Sequence, residues 1–293
     1  TPSLSEGGST VISDITLGQF FPGNSILHKL DPRTKILLST VFIVAVFVAS
    51  TPLAFLLVTL LTAFLMAVSG IRASVIFKGI KPILFILVFT TLINILVTRG
   101  EGDPLLSFWI VTIYKEGLIR AFFMTLRVIL LIIGTSLLLT YTTSPISLTD
   151  GLESLLSPLE KVHIPVHIFS MMMTIALRFI PTLVEETEKI MNAQKSRGAD
   201  FTSGNLIRRA KSLIPLLIPL FASAFKRAEE LAVAMECRCY RVDKKRTKMT
   251  HRRMRATDWL SLLFIAAFLA VVIVSTTVTP GEDLFSKIAF YKI

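Results

Sequence analysis

The sequence predicts an all-α integral membrane protein: about five transmembrane helices, N-terminus inside and C-terminus outside, with one large cytoplasmic insert of amphipathic helices. Three observations predict it. Mean hydropathy is +0.70 and 53% of the 293 residues are hydrophobic, which removes the chain from the soluble globular class. Five apolar runs, at 34–50, 53–69, 82–98, 117–140 and 259–278, approach the roughly 20 residues that a bilayer requires. The net charge of +11 is also distributed unevenly. Lys29, Arg33 and Lys35, then Arg72, Lys78 and Lys81, then the cations across 161–255 all fall on one side if the N-terminus is cytoplasmic. An odd number of crossings then puts the termini on opposite sides, and nucleic acid is not needed to explain the basic excess.

The boundaries are a polar arm at 1–25, a membrane domain with four spans at 26–143, a cytoplasmic domain at 144–256, the last span at 257–279 and an outer tail at 280–293. The arm is rich in Ser, Thr and Gly and lacks the layout of a signal peptide. Asp31-Pro32 reads as an N-cap with proline at the first helical position, opening the first span. Ser50-Thr51-Pro52 is a tight turn, so spans one and two form an antiparallel hairpin. Residues 70–81 carry Arg72, Lys78 and Lys81 and no acid, and should return to the cytoplasm. Asn94, inside span three, is expected to bond to a neighbouring helix. The charges at Arg99, Glu101, Asp103 and Lys115 balance, which suits the outside. Phe108, Trp109 and Tyr114 flank the β-branched residues 110–113, as in a short hairpin or an interfacial loop with aromatic anchors.

Span four carries Arg120 near its start and Arg127 about two turns further in. An intramembrane arginine is a functional candidate by default. The competing reading, snorkelling or pairing with a neighbouring helix, carries more weight.

Residues 144–256 contain two amphipathic helical patterns. One runs through Phe169, Met172, Ala176, Phe179 and Leu183, turns polar at Glu185, Glu186, Glu188 and Lys189, and stops at Ser196, Arg197 and Gly198. The other runs through Leu213, Leu217, Leu220, Ala224, Ala228, Leu231 and Met235 and stops at Cys237, Arg238 and Cys239. Steps of three and four put each set on one helix face. Gly198 reads as a helix C-cap, and a cation in a last turn suits the macrodipole. Prolines 165, 181, 215 and 219 and the dense charge favour interfacial or protein-covered helices over crossings, although an added pair of crossings would leave the termini where they are. Lys244, Lys245, Arg246, Lys248, Arg252, Arg253 and Arg255, with no acid among them, hold the chain against anionic headgroups as it re-enters the bilayer.

Catalytic signatures are scarce. There is no Gly-x-x-x-x-Gly-Lys-Ser/Thr loop for nucleotide phosphates. His163 and His167 stand four apart with Pro165 between them and no carboxylate or thiol at ligand spacing, so no metal site is expected. Cys237 and Cys239 make a lone Cys-x-Cys, which fits a partly buried structural pair better than a soft-metal site, and two cysteines suggest a reducing compartment. Glu185, Glu186 and Glu188 read as a solvated face. A stand-alone secondary transporter or channel would need polar groups at mid-membrane, and Asn94 and Arg127 are few. An intramembrane enzyme lacks a nucleophile and a base.

Several motifs resemble a known family. His28-Lys29-Leu30-Asp31-Pro32-Arg33-Thr34-Lys35 is similar to the opening of the transmembrane T component of energy-coupling factor (ECF) importers, and 176–181, 193–199 and 229–240 are similar to its coupling helices. The resemblance covers 26–279 in the same order. It implies a membrane scaffold in an ATP-driven importer of a vitamin or metal ion in a bacterial or archaeal cell membrane. It implies that Ser196, Arg197 and Gly198, with Cys237, Arg238 and Cys239, dock on two ABC-type ATPase subunits. ATP and magnesium belong to those partners, and this chain binds no cofactor. It further implies that a membrane-embedded substrate-binding S component lies on an apolar face, for which Met171, Met172, Met173, Leu216, Leu217 and Phe221 are the candidates. The family motif is often Ala-Arg-Gly. Cys239 in place of glycine removes the residue that a left-handed helix end favours.

Overall fold

The computed structural model describes residues 23, 25–97, 106–108, 111–163, 165–199, 201, 205–241 and 254–278. Nearly all of the polar arm, Trp109, most of the basic run 244–255 and the tail 280–293 lie outside the described residues. The described elements are α1 Ile26–Lys29, α2 Pro32–Val48, α3 Pro52–Ser69, α4 Ala73–Ile80, α5 Leu84–Val97, strands β1 Leu106–Phe108 and β2 Val111–Ile113, then α6 Lys115–Thr135, α7 Pro145–Leu156, α8 Val166–Ser196, α9 Leu206–Cys237 and α10 Ala256–Val278. The chain forms two compact units, one from 19–154 with 252–293 and the other centred on 155–251.

Local chemistry accounts for the helix starts. Asp31 is the N-cap of α2, its carboxylate accepting the Arg33 N–H at 3.0 Å, with Pro32 at the first helical position. Thr51 caps α3 in the same manner through the Ala54 N–H. Of the two readings of the stretch around 110–113, short hairpin or interfacial loop, the structure has the hairpin, an antiparallel ladder pairing Leu106 with Ile113 and Phe108 with Val111. Residues 70–81, whose charge predicts a side of the membrane and no particular element, are largely helical. Gly70 ends α3 at φ 68°, but α4 follows almost at once and passes through a 3₁₀ turn at Lys81–Ile83 into α5. The missing Pro82 N–H forces a tighter turn there without ending the helix.

Five helical stretches are long and apolar enough to cross a membrane: Pro52–Ser69, Ser74–Leu96, Gly117–Thr140, Val166–Ser196 and Ala256–Val278. The chain is a multi-pass membrane protein. This set differs from the sequence expectation at two places. The α2 helix has 17 residues, about 26 Å long, with Arg33 and Lys35 in its opening turns. The α8 helix qualifies at mean hydropathy 1.5, the lowest of the five, on the strength of an 18-residue apolar stretch alone, and its charged second half takes no part in that value.

In the membrane unit the core joins α2, α3, α6 and α10, with Phe42, Val46, Phe55, Val58, Leu130 and Val272 among its buried residues. Asp31, Leu38 and Ala45 on α2 and Asp258, Ile265 and Val272 on α10 are all buried, at seven-residue steps on both helices. That spacing suits two parallel helices packed at a shallow angle. Thr91 and Thr125 share a 2.6 Å hydrogen bond between α5 and α6. Asn94 makes no such bond and donates to the Thr90 carbonyl of its own helix at 2.9 Å. The sequence placed the interhelical polar contact on the amide; the nearby hydroxyl makes it.

Candidate functional site

The two arginine-bearing helix ends have the same backbone geometry. At the end of α8, Arg197 occupies the C-cap and Gly198 follows at φ 85°. The Gly198 N–H donates to the Lys195 carbonyl and the Ala199 N–H to the Gln194 carbonyl, both at 3.0 Å. At the end of α9, Cys239 stands at φ 55°, its N–H donating to the Glu236 carbonyl at 2.8 Å, and the Tyr240 N–H reaches the Met235 carbonyl at 3.0 Å. Each pair of bonds is a Schellman motif, and Arg238 sits where Arg197 sits. Loss of glycine at 239 has therefore not removed the left-handed end. The hydrogen bonds hold a cysteine in a conformation that L-residues disfavour.

Arg197, Arg238, Ser196, Gly198 and both thiols are exposed. The expectation of a partly buried cysteine pair is corrected here: both cysteines flank an exposed arginine, and Cys239 makes the turn. Guanidinium forks standing free of the helix end present parallel donors to carboxylate or carbonyl groups.

Both helices continue through their prolines, Pro181 in α8 and Pro215 and Pro219 in α9. Between them Ile175, Phe179 and Leu183 face Ala228, Leu231 and Met235 around a groove of about 260 Å³. At its polar edge Arg227 and Glu186 form an ion pair at 3.2 Å. Glu186 was expected on a solvated face, and the pairing cation was missed. Its signal is that Arg227 stands in line with Ala224, Ala228 and Leu231, so a charge on the apolar stripe calls for a counter-charge. Arg197 lies eleven residues past Glu186, and Arg238 lies eleven past Arg227. Each arginine ends an arm of about 16 Å measured from that contact.

Of the apolar candidates, Met172, Met173, Leu217 and Phe221 are exposed, Met171 is half-buried, and Leu216 is 8% exposed and unavailable as a free surface. Arg127 is accounted for within the bundle. It donates to the Ala49 carbonyl at the end of α2 and lies over the Phe55 ring of α3, 5.2 Å from its centroid. Among the described residues no three His, Cys, Asp or Glu side chains converge as a metal site requires.

The model of the cobalt transport protein family, CbiQ, matches residues 23–249. The chain belongs to the CbiQ family. It is 53% identical over 263 residues to the energy-coupling factor transporter transmembrane protein EcfT of Ruminiclostridium cellulolyticum, covering 90% of this chain and 97% of that one. It is 50% identical over 268 residues to the protein of that name from Clostridium kluyveri, at 92% and 97% coverage. It is 45% identical over 262 residues to the one from Bacillus subtilis, at 88% and 98%. The CbiQ match takes in both arginine ends and the opening turn of α2, so the features described above lie inside the family's own span.

Proposed function

We propose that this chain is the membrane-embedded scaffold and energy-coupling subunit of an ECF-type ATP-driven importer of a vitamin or metal ion. It is a non-catalytic subunit. Two ABC-type ATPase subunits, which hold ATP and magnesium, each take one arginine end, and a substrate-binding S component rests on the exposed apolar face around Met172, Met173, Leu217 and Phe221. One observation carries the reading: two helices end in the same Schellman geometry with an exposed arginine at the same position, equally far from their shared ion pair. When nucleotide draws the ATPases together, ends anchored to each must move relative to one another. Two rigid arms joined at a weak, half-exposed ion pair and an apolar groove can pivot without unfolding. Exposed methionines suit a face that repacks against its partner.

Helix parity supports an N-in, C-out orientation. Asp258 ties the first turns of α2 and α10 together, so both helices start on one side of the membrane. If α2 crosses together with α3, Ser74–Leu96 and Gly117–Thr140, four crossings between those starts return the chain to that side. A single crossing by α8 would break the parity. That count supports placing the region that holds both arginines on the side where α2 begins, which its flanking cations favour as the cytoplasm, with the C-terminus outside. A secondary transporter gains no support, since Asn94 and Arg127, its two polar groups at depth, bond within the bundle.

Arg197→Glu combined with Arg238→Glu will abolish copurification with the ATPase subunits while the protein still inserts in the membrane. An intact complex after that charge reversal would show that the arginines do not dock.

A further inference from the structure

The coupling region joins the membrane unit at two points in the chain, near 154 and near 252. Both junctions are tied to one turn of α2. Asp258, in the first turn of α10 and 2% exposed, accepts the Asp31 N–H at 3.0 Å on one oxygen and the Arg255 N–H at 2.7 Å on the other. Its carboxylate thus ties the returning chain, three residues beyond 252, to the start of α2. Lys35, one turn further along α2 and also 2% exposed, donates to the Thr142 carbonyl at 2.8 Å and to the His28 carbonyl at 3.3 Å. Thr142 follows the π-turn Ser136–Thr140 that ends span four, so this ammonium satisfies a helix-terminal carbonyl at the departing chain. The departing helix α7 then packs on the same turn of α2. A Cβ added at Gly151 would come within 2.9 Å of the Pro32 Cβ and 3.1 Å of its carbonyl carbon.

A buried carboxylate that accepts from two backbone donors, and a buried ammonium that donates to two carbonyls, are costly ways to hold a helix end. Apolar packing would hold α2 against α10 without them. What they add is fixed register at the two places where the coupling region enters.

We propose that Asp258 and Lys35 are positioning residues that form a clasp: they hold both entry points of the coupling region on the first turn of α2, so that movement of α8 and α9 passes into α2, α6 and α10 instead of being absorbed at the junctions. The clasp rests on the energy-coupling role proposed above. It acts through backbone groups and touches neither nucleotide nor transported substrate.

The test uses the complex assembled with its ATPase subunits in lipid nanodiscs. Nitroxides on a ketone-bearing unnatural residue at Leu152 and at Ala256 report the separation of the two junctions and leave Cys237 and Cys239 in place. A second pair at Lys195 and Glu236, beside the arginines, reports the tips. Distances are measured without nucleotide and with ATP trapped by vanadate. In the parent chain the tip pair responds to ATP, and the junction pair stays narrow and moves by no more than about 2 Å, the scale of a packed helix shift. In Asp258→Asn and Lys35→Met, with ATP hydrolysis retained, the junction pair broadens and shifts with nucleotide by about 5 Å or more, a helical turn. Lys35→Arg, which keeps a cation within reach of both carbonyls, restores the parent behaviour.

A junction pair as narrow and nucleotide-invariant in the variants as in the parent overturns the clasp. So does a parent junction that itself shifts beside a responsive tip pair. Failure of both variants to assemble would make the cluster a folding element only and would overturn it too. A parent tip pair that ignores ATP defeats the coupling role itself, and the clasp falls with it.

Discussion

In the membrane unit, α2 buries eight of its 17 residues, among them Thr34, Lys35 and Ser39, whereas α8 buries two of 31, Val166 and Ser170. On α9, Leu213, Ile214, Leu217, Ile218, Phe221 and Phe225 all stand exposed. In the first unit the buried Lys35 and Asp258 and the half-buried Arg127 find carbonyls or N–H groups from elsewhere in the same unit. The second has an ion pair, a shallow groove and two open faces. A helix of 31 residues with so little covered surface is stabilised by what lies against it, lipid or protein, more than by its own chain. Burial is concentrated where α2 packs, while the two arginine ends reach one backbone geometry from two different sequences, Ser196-Arg197-Gly198 and Cys237-Arg238-Cys239.

That contrast can be broken by substitutions that should hurt one unit and spare the other. The largest effect on stability is expected at Arg127→Met. It removes a charge-assisted hydrogen bond and a cation–π contact joining α6 to the α2–α3 hairpin. The expected cost is about 2–3 kcal/mol, seen as a thermal midpoint lowered by roughly 5–10 °C in detergent. An unchanged midpoint would mean that the membrane unit does not depend on its polar locks.

A smaller effect is expected at the helix ends, and its sign should differ between them. Gly198→Ala puts a Cβ on a residue at φ 85° where no neighbouring atom lies within 4 Å, so the cost, about 1 kcal/mol, is backbone strain alone. Cys239→Gly relieves the same strain and should stabilise by about 1 kcal/mol. Local hydrogen exchange at 235–240 and 194–199 would register both. Equal signs at the two ends would show that they are not equivalent turns.

Features set by a few adjacent residues were legible in the sequence. Asp31-Pro32, Thr51-Pro52 and Arg197-Gly198 each specify a cap or a stop within one turn, and the structure has each of them. The two amphipathic patterns ended at the residues where α8 and α9 end. The illegible features depend on partners far away in sequence. Nothing near Asp258 says that it will meet the Asp31 N–H 227 residues earlier, and nothing near Glu186 names Arg227. Lys35 lay inside a recognised motif, yet its burial beneath the Thr142 carbonyl depends on how the helices assemble. Cys239 misled for a different reason. The left-handed turn is imposed by the hydrogen bonds of residues 235–240, and they outweigh the residue's own preference. At α4 the positive charge spoke only to the side of the membrane, since cations at a membrane edge are compatible with loop and helix alike.

We propose that two arginine ends of one membrane protein grip two nucleotide-driven subunits. A photo-crosslinking residue placed at 197, and separately at 238, in the assembled complex tests it most directly. Adducts to an ATPase subunit from both positions are the predicted result. Adducts to lipid alone, or none to an ATPase from either position, would contradict it.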